Sequence, residues 1–489
     1  LSRPTIVDEV PLTEADRALF ADAARRTWDY FTTFLTDEDH WLPPDNFQED
    51  PGQVVAHRTS PTNIGLALLA NVAAHDLDFL PLPTLVERLE KMLDGVEGLE
   101  RWEGGHLLNW YDTRTLAPLL PRYVSTVDSG NLVAALMVLA EALEESLAEP
   151  LRAETRPPDA ALAKRLGALI ARARALVRDT DFRMLYDARR RLFAVGYRLP
   201  DADGPGRFDT SFYDLLASEA RLASFVAIAK GDVPPRHWFA LGRPLTSVDG
   251  RVTLLSWSAT MFEYLLPLLF TRSYPETLLD GSCRTAVAHQ RRYAGRLGVP
   301  WGISESAYAL LDRAGHYQYR AFGVPGLGLK RGLGDELVVA PYATMLAALV
   351  DAPAAAANLR HLTAEGLFGR YGFYEAIDYT PRHAGSEPPD PTTRRDTGTI
   401  IRAYFAHHQA MSLLALANVL QGGRFVERFH ADPRIQATEL MLQERAPRDV
   451  PIVEPRPAES TRVLPQPAPL STRRFRSPHT TFPHAHFLS

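Results

Sequence analysis

Two short segments, Trp301-Gly-Ile-Ser-Glu-Ser306 and Tyr371-Gly-Phe-Tyr-Glu-Ala376, each set one glutamate among glycine, small hydroxyl residues and aromatic rings. Glycine lets the backbone approach a ligand closely. Aromatic side chains offer flat apolar faces that suit the apolar faces of sugar rings. A pair of carboxylates is what cleavage of a glycosidic bond asks for: one gives and takes a proton, the other attacks carbon or positions a water. Glu305 and Glu375 are therefore the candidate pair. The plainer alternative makes them loop glutamates on a solvated surface.

Other chemistries find less support. The single cysteine, Cys283, forbids an internal disulfide and sits in a helical stretch, where it reads as a small packing residue. No Cys/His cluster has the spacing of a zinc site. His407 and His408 are adjacent and so face different directions on a helix, unlike ligands at i and i+4. The glycines of Gly323-Val-Pro-Gly-Leu-Gly-Leu-Lys-Arg-Gly332 lack the spacing of a P-loop or a dinucleotide fingerprint, and they read as a shaped loop. No metal or cofactor is expected.

Composition is that of an ordinary globular protein: 489 residues, 46% apolar and 23% charged. The net charge of −6 and a pI of about 6.2 give no basic footprint for nucleic acid or an anionic membrane. No apolar run is expected to reach the length of a membrane span. The chain opens Leu1-Ser-Arg-Pro, with neither a secretory apolar region nor an initiator Met, and is expected to be a segment of a longer polypeptide.

The elements that must position the glutamates are helices. Twelve segments are predicted, at about 13–35, 61–75, 82–97, 129–148, 158–179, 210–230, 257–270, 275–297, 339–350, 352–366, 399–421 and 433–445. Some are apolar all round, such as Ile64-Gly-Leu-Ala-Leu-Leu-Ala-Asn-Val72 and Leu132-Val-Ala-Ala-Leu-Met-Val-Leu-Ala140, and must be buried on every side. Others, such as Pro83-Thr-Leu-Val-Glu-Arg-Leu-Glu-Lys-Met-Leu93, carry a charged stripe for water. The two kinds mostly alternate, as six helical hairpins in a ring would require. The expected fold is all-α, an (α/α)6 barrel with few short rim strands, one of them within Arg191–Arg198. A superhelical repeat array is the alternative, but no self-similar period is evident.

Most of the buried helices are entered through a polar and aromatic segment. N-capping explains part of the Ser, Thr, Asp and Asn content. It does not explain Arg58, Tyr123, Tyr213, Trp257 and Tyr342. If the inner helices run parallel, these entries line one funnel suited to a polyhydroxylated chain. After Arg445 the sequence turns Pro-rich, so residues 446–489 are expected to be an extended linker following a domain at 1–445.

Long motifs give these features a context. They include Trp41-Leu-Pro-Pro-Asp-Asn-Phe-Gln48, His57-Arg-Thr-Ser-Pro-Thr-Asn-Ile-Gly65, Ser125-Thr-Val-Asp-Ser-Gly-Asn-Leu132 and Tyr213-Asp-Leu-Leu-Ala-Ser-Glu-Ala-Arg221, with Ala406-His-His-Gln409 and the two glutamate segments. In this order, over nearly the whole chain, they resemble the glucoamylase-like transglycosylation (cyclisation) domain of bacterial cyclic β-1,2-glucan synthases. The resemblance implies an (α/α)6 barrel that cleaves linear β-1,2-glucan with retention and recloses it on the chain's own hydroxyl. It implies Glu305 as acid/base and Glu375 as nucleophile. Together with the funnel, it implies a substrate cleft holding Arg58, Asn63, Asp128, Tyr213, Asp214, Trp257, Trp301, Tyr342, Tyr374 and His408. The implied partners are linear β-1,2-glucan and other domains of a larger synthase, with no nucleic acid and no direct membrane contact from this segment. The parent would be anchored in the inner membrane with this domain on the cytoplasmic side. A β-1,2-glucanase on the same scaffold, and a non-catalytic glucan-binding module, are the competing readings.

Overall fold

The computed structural model describes residues 11–152, 159–202, 204–380, 398–447, 451–453 and 455. Its helices are α1 (Glu14–Phe34), α2 (Pro61–Asp76), α3 (Leu82–Glu97), α4 (Thr126–Arg152), α5 (Ala160–Asp179), α6 (Arg221–Ala229), α7 (Met261–Leu265), α8 (Leu278–Leu297), α9 (Pro341–Ala347), α10 (Ala352–Ala364), α11 (Ala406–Leu420), α12 (Arg424–Phe429) and α13 (Pro433–Gln436). Their starts follow capping chemistry. Thr13 and Asp16 form a reciprocal capping box on α1, and the Ser60 side chain caps α2 with Pro61 in its first turn. Helix α8 stops at Gly298, which takes the left-handed conformation at φ 69°.

Helices α2, α4 and α11 carry apolar residues on every side and lie in the core. Helix α2 packs on α4 and α11, α4 on α6, α9 on α7 and α11. Arg221 of α6 reaches α7, donating to the Glu263 and Tyr264 carbonyls at 2.7 and 2.5 Å. The charged-stripe helices lie behind these: α3 on α2, α5 on α4, α8 on α7, α10 on α9 and α1 on α11. Small residues set the close approaches. A Cβ on Gly130 of α4 would lie 2.3 Å from the Ala223 side chain of α6, so only glycine fits this crossing.

Four expectations need correction. Strands are not few: twenty short strands form seven small sheets among the described residues. Arg191–Arg198 is not one strand. Leu192–Ala194 pairs with Tyr186–Asp187 and Phe212–Tyr213, while Gly196–Arg198 joins a five-stranded sheet with Pro118–Ser125 and Arg207–Phe208. Several helices are shorter than their apolar runs. The 210–230 stretch is extended at Phe212–Tyr213 and helical only from Arg221, and 257–270 is divided where Pro267 starts a 3-10 turn. The start of 399–421 is two strands, Thr399–Ile401 and Ala403–Phe405. Finally, Thr126–Ala148 of α4 is long and apolar enough to cross a membrane by length and composition, yet most of it is buried inside the fold.

Most of the Pro-rich stretch 446–489 lies outside the described residues. Of its described part, the Val453 N–H donates to the Leu245 carbonyl at 2.7 Å.

Candidate active site

The loop carrying Glu305 is fixed by three helices. The Trp301 N–H donates to the Asn358 side chain of α10 at 3.1 Å, and the Asn358 amide returns a bond to the Trp301 carbonyl at 2.7 Å. Gln290 of α8 brackets Ile303 in the same way, at 2.9 and 2.8 Å. Ser304 Oγ accepts the Phe262 N–H of α7 at 3.1 Å. Gly302, at φ 124°, sits where a Cβ would lie 3.0 Å from the Ala340 carbonyl, so the segment needs its glycine to reach α9. The chain then enters the strand Ser306–Leu311, whose register with Tyr317–Arg320 sets Ala307 opposite Tyr319.

That register builds the site. Tyr319 Oη is hydrogen-bonded to Glu305 Oε1 at 3.0 Å. On the other side, the Ala307 N–H donates to Glu375 Oε1 at 3.0 Å. Glu375 lies just before the strand Ala376–Asp378 and gives its own N–H to the Ala403 carbonyl at 2.9 Å. His408, in the first turn of α11, holds the Glu375 carboxyl through Nδ1, at 3.0 and 2.9 Å from its two oxygens. Tyr342 of α9 stacks on the His408 ring, with centroids 3.7 Å apart and planes 10° from parallel. Its hydroxyl donates toward Ser304 Oγ and the Glu305 carbonyl. Both glutamates are buried, at 8% and 2% exposure, which excludes the reading as solvated loop residues.

Burial dictates the electrostatics. It pushes Glu305 up to about 8, with Glu219, Glu263 and Glu375 adding repulsion against the Tyr319 hydrogen bond. It also pushes Glu375 up to about 8, opposed by the Ala307 N–H and by His407. Of the two, Glu375 has a backbone N–H, that of Ala307, aimed at its carboxyl, which favours the charged form, and His408 with its proton on Nδ1 adds a second donor. His408 is held well below its ordinary value by burial, and His407 is pushed down to about 3 by burial and by His408, so both rings are neutral near pH 7. A buried neutral imidazole with Nδ1–H toward Glu375 and a protonated Glu305 form one consistent arrangement.

A second cluster lies at the entries to α2 and α4. Buried Asp45 accepts from Arg58 at 2.8 and 3.2 Å and from Asn63 at 3.3 Å. Burial opposes its ionisation, but Arg58, His407 and Asn63 hold the carboxyl below its ordinary value. Asp128 accepts the Thr62 N–H at 3.4 Å. Tyr213 feels Glu219, Asp128, Asp209 and Glu305, and His407 feels Asp45, Glu375 and Asp128. Direct bonds to the glutamates come from the entries to α9 and α11, through Tyr342 and His408.

The remaining candidates divide. Trp257 is 47% exposed and donates its indole N–H to Asp214 at 2.9 Å, so the pair presents an aromatic face to solvent. Trp301 and Tyr374 are buried among core residues, Tyr374 accepting from Arg402 at 3.2 Å. Sequence reasoning missed Asp45, Glu219, Tyr319 and His407 as site residues. Asp45, Glu219 and His407 stand inside motifs that could have flagged them. Tyr319 stands in none, and only the strand register brings it in. Glu219 is pushed up to about 7, first by burial and then by Glu263.

Residues 211–432 match the family described as "Putative glucoamylase". The chain is 37% identical over 558 aligned positions to cyclic beta-(1,2)-glucan synthase NdvB of Rhizobium meliloti (strain 1021), covering 91% of this chain and 19% of that protein. It therefore spans about a fifth of that relative's length. An endo-beta-1,2-glucanase from Chitinophaga pinensis, solved with sophorotriose and glucose, has a similar fold, with a TM-score of 0.65 at 15% identity over 88% of this chain and 99% of that one. An endo-beta-1,2-glucanase from Talaromyces funiculosus, solved with sophorose, gives 0.66 at 14% over 90% and 93%. Residues 211–432 are thus similar to a glucoamylase-like family, within a chain similar over most of its length to one segment of a cyclic β-(1,2)-glucan synthase.

Proposed function

We propose that this chain is a retaining β-1,2-glucan transglycosylase that cleaves linear β-1,2-glucan and recloses it to a ring. The carrying observation is the burial of Glu305 and Glu375 in one hydrogen-bonded cluster, flanking a single strand. Glu305, protonated near neutrality, gives its proton to the leaving sugar oxygen. Glu375, with two N–H groups on its carboxyl, attacks the anomeric carbon. Glu305, now ionised, then takes the proton of the incoming hydroxyl as the glycosyl ester is broken. Each displacement inverts the carbon once, so the two together retain it. Helices α2, α4, α6, α7, α9 and α11 form the inner ring of an (α/α)6 barrel under this reading, with residues 1–445 as the catalytic domain and 446–489 as a linker to other domains of a larger, membrane-anchored synthase. In that parent, this domain lies on the cytoplasmic side.

The glucanase fold relatives favour one second reading, in which water takes the place of the sugar hydroxyl. Product analysis from linear β-1,2-glucan separates the two. A cyclic product is lighter by one water than the linear chain of equal length, and this is the expected result. Short linear products alone would assign a glucanase, and no turnover of any glucan would assign a binding module.

Arg58, Asn63, Asp128, Tyr213, Asp214, Trp257, Trp301, Tyr342, Tyr374 and His408 bind or frame the glucan in this reading. Trp257 is the sugar platform most open to test. Trp257→Ala is expected to weaken glucan affinity roughly tenfold, or about 1.4 kcal/mol, with the melting temperature little changed because the ring is half exposed. Isothermal titration and a thermal melt on the same sample check both. Lost stability with affinity intact would make the ring a packing residue.

A further inference from the structure

Glu305 and Glu375 are joined by an unbroken chain of hydrogen-bonding groups. Glu305 Oε1 lies 3.0 Å from Tyr319 Oη, Tyr319 Oη lies 3.2 Å from His408 Nε2, and His408 Nδ1 lies 2.9 Å from a Glu375 oxygen. All four side chains are buried, with Tyr319 at 9% and His408 at 1% exposure. Each intermediate group can donate on one side and accept on the other. The orientation is held from outside, by Tyr342 stacked on the imidazole and by the Ala307 N–H on Glu375.

We propose that Tyr319 and His408 form a proton wire that lets the two catalytic glutamates share a single proton. The proposal rests on the reading of Glu305 and Glu375 as the catalytic pair. In one state Glu305 is protonated and donates to Tyr319 Oη, the Tyr319 O–H donates to His408 Nε2, and His408 Nδ1–H donates to the Glu375 carboxylate. Three concerted hops give the other state. Glu305 Oε1–H breaks as Tyr319 Oη–H reforms, the old phenolic proton passes to Nε2, and the Nδ1 proton passes to Glu375. One proton has moved from Glu305 to Glu375, and neither ring has gained or lost charge. Only the first state is productive for cleavage. Esterification of Glu375 removes its carboxylate as the terminus of the wire, and the Tyr319 O–H then turns to the newly ionised Glu305. Tyr319 and His408 are positioning residues in this scheme, because they act on the reaction through the proton inventory of the two glutamates.

Other charges face the wire. Glu219 and Glu263 act on Glu305, and Lys330 feels Glu305 and Glu263. His407 and Asp45 face Glu375 and His408, while Tyr342 faces Tyr319. None of them bridges the two carboxyl groups by the bonds described above.

The test is Tyr319→Phe, which keeps the ring and removes the central link. Turnover of linear β-1,2-glucan is expected to fall roughly 10–100-fold, with KM nearly unchanged. The alkaline limb of the kcat profile should move by about one pH unit, a tenfold change in the proton equilibrium. In mixtures of H2O and D2O, the rate of the unaltered protein should bend with deuterium fraction, as multi-proton transfer requires, and that of the variant should be linear. A fluorinated tyrosine at 319 preserves shape and acidifies the phenol, so it tests the same link if the Phe variant folds poorly; it should shift the alkaline limb. A slower Tyr319→Phe with an unshifted limb and an unchanged deuterium response would make Tyr319 a packing residue and overturn the wire. Glu305→Gln and Glu375→Gln, assayed alongside, separate the two ideas. If they stay active, the catalytic assignment fails; if they are inactive while Tyr319→Phe behaves normally, the wire alone fails.

Discussion

Turnover of linear β-1,2-glucan is expected to fall by about a thousandfold or more in both Glu305→Gln and Glu375→Gln, with glucan binding retained. Glutamine keeps the volume and can still accept from Tyr319 or the Ala307 N–H, so the fold survives. What disappears is the ionisation. Without its proton on Glu305 the leaving oxygen departs as an alkoxide, and without the Glu375 carboxylate there is no covalent intermediate. The alanine variants assign the roles. Azide entering in place of Glu375 makes one displacement and gives an α-glycosyl azide. Azide entering after the ester has formed on Glu375, with Glu305→Ala, makes the second displacement and gives a β-azide. Nuclear magnetic resonance of the products distinguishes the anomers, and the opposite pattern would exchange the two roles.

A second large effect concerns stability. Arg428 is 6% exposed and joins two helices of the core. It donates to both Asp76 oxygens at 2.5 and 2.9 Å, at the end of α2, and to Glu145 of α4 at 2.6 Å. Asp76 is itself buried. Removing one partner leaves a buried carboxylate short of its donors, which costs far more than the pair contributes relative to an apolar replacement. Arg428→Met is expected to destabilise the protein by about 3 kcal/mol. Arg424, 3.1 Å from Asp76, prevents a larger loss. Arg174→Met, a half-exposed arginine paired with exposed Glu144 and part-buried Glu141, is expected to cost less than about 1 kcal/mol. Urea unfolding of the two variants checks the contrast, and equal losses would mean that the buried cluster carries no special weight.

The helices were legible where composition alone dictated burial. Leu132–Ala140 and Ile64–Val72 have no face for water, so their place inside the fold followed. Helix ends were legible where caps were, as at Ser60, which precedes the helix expected from about 61. Most of the strands were not, because they run for only two or three residues, too few for an alternating pattern to register. The same brevity hid Phe212–Tyr213 and Ala403–Phe405 within stretches apolar enough to pass as helix. In the site, Glu305 and Glu375 stood out because glycine and aromatic residues surround them. Tyr319 stands 14 residues from Glu305, and its place depends on Ser306 pairing with Arg320 across a bulged hairpin, which no local pattern encodes. Trp301 and Tyr374 show the converse, since an aromatic ring beside a candidate carboxylate can equally serve as a wall of the core.

Helix α4 has a consequence for how the chain is made. Its segment Thr126–Ala148 is long and apolar enough by length and composition to cross a membrane, and the helices packed on it bury most of it. Helix α2, its neighbour, waits for α11, which begins about 330 residues after α2 ends. At ~5–20 residues per second, a ribosome needs roughly 15 s to a minute to supply that cover. For that interval the face of α2 that α11 will cover stays open, and early pairing of α4 with α2 and α5 is what limits the apolar surface left exposed while the rest of the chain is made.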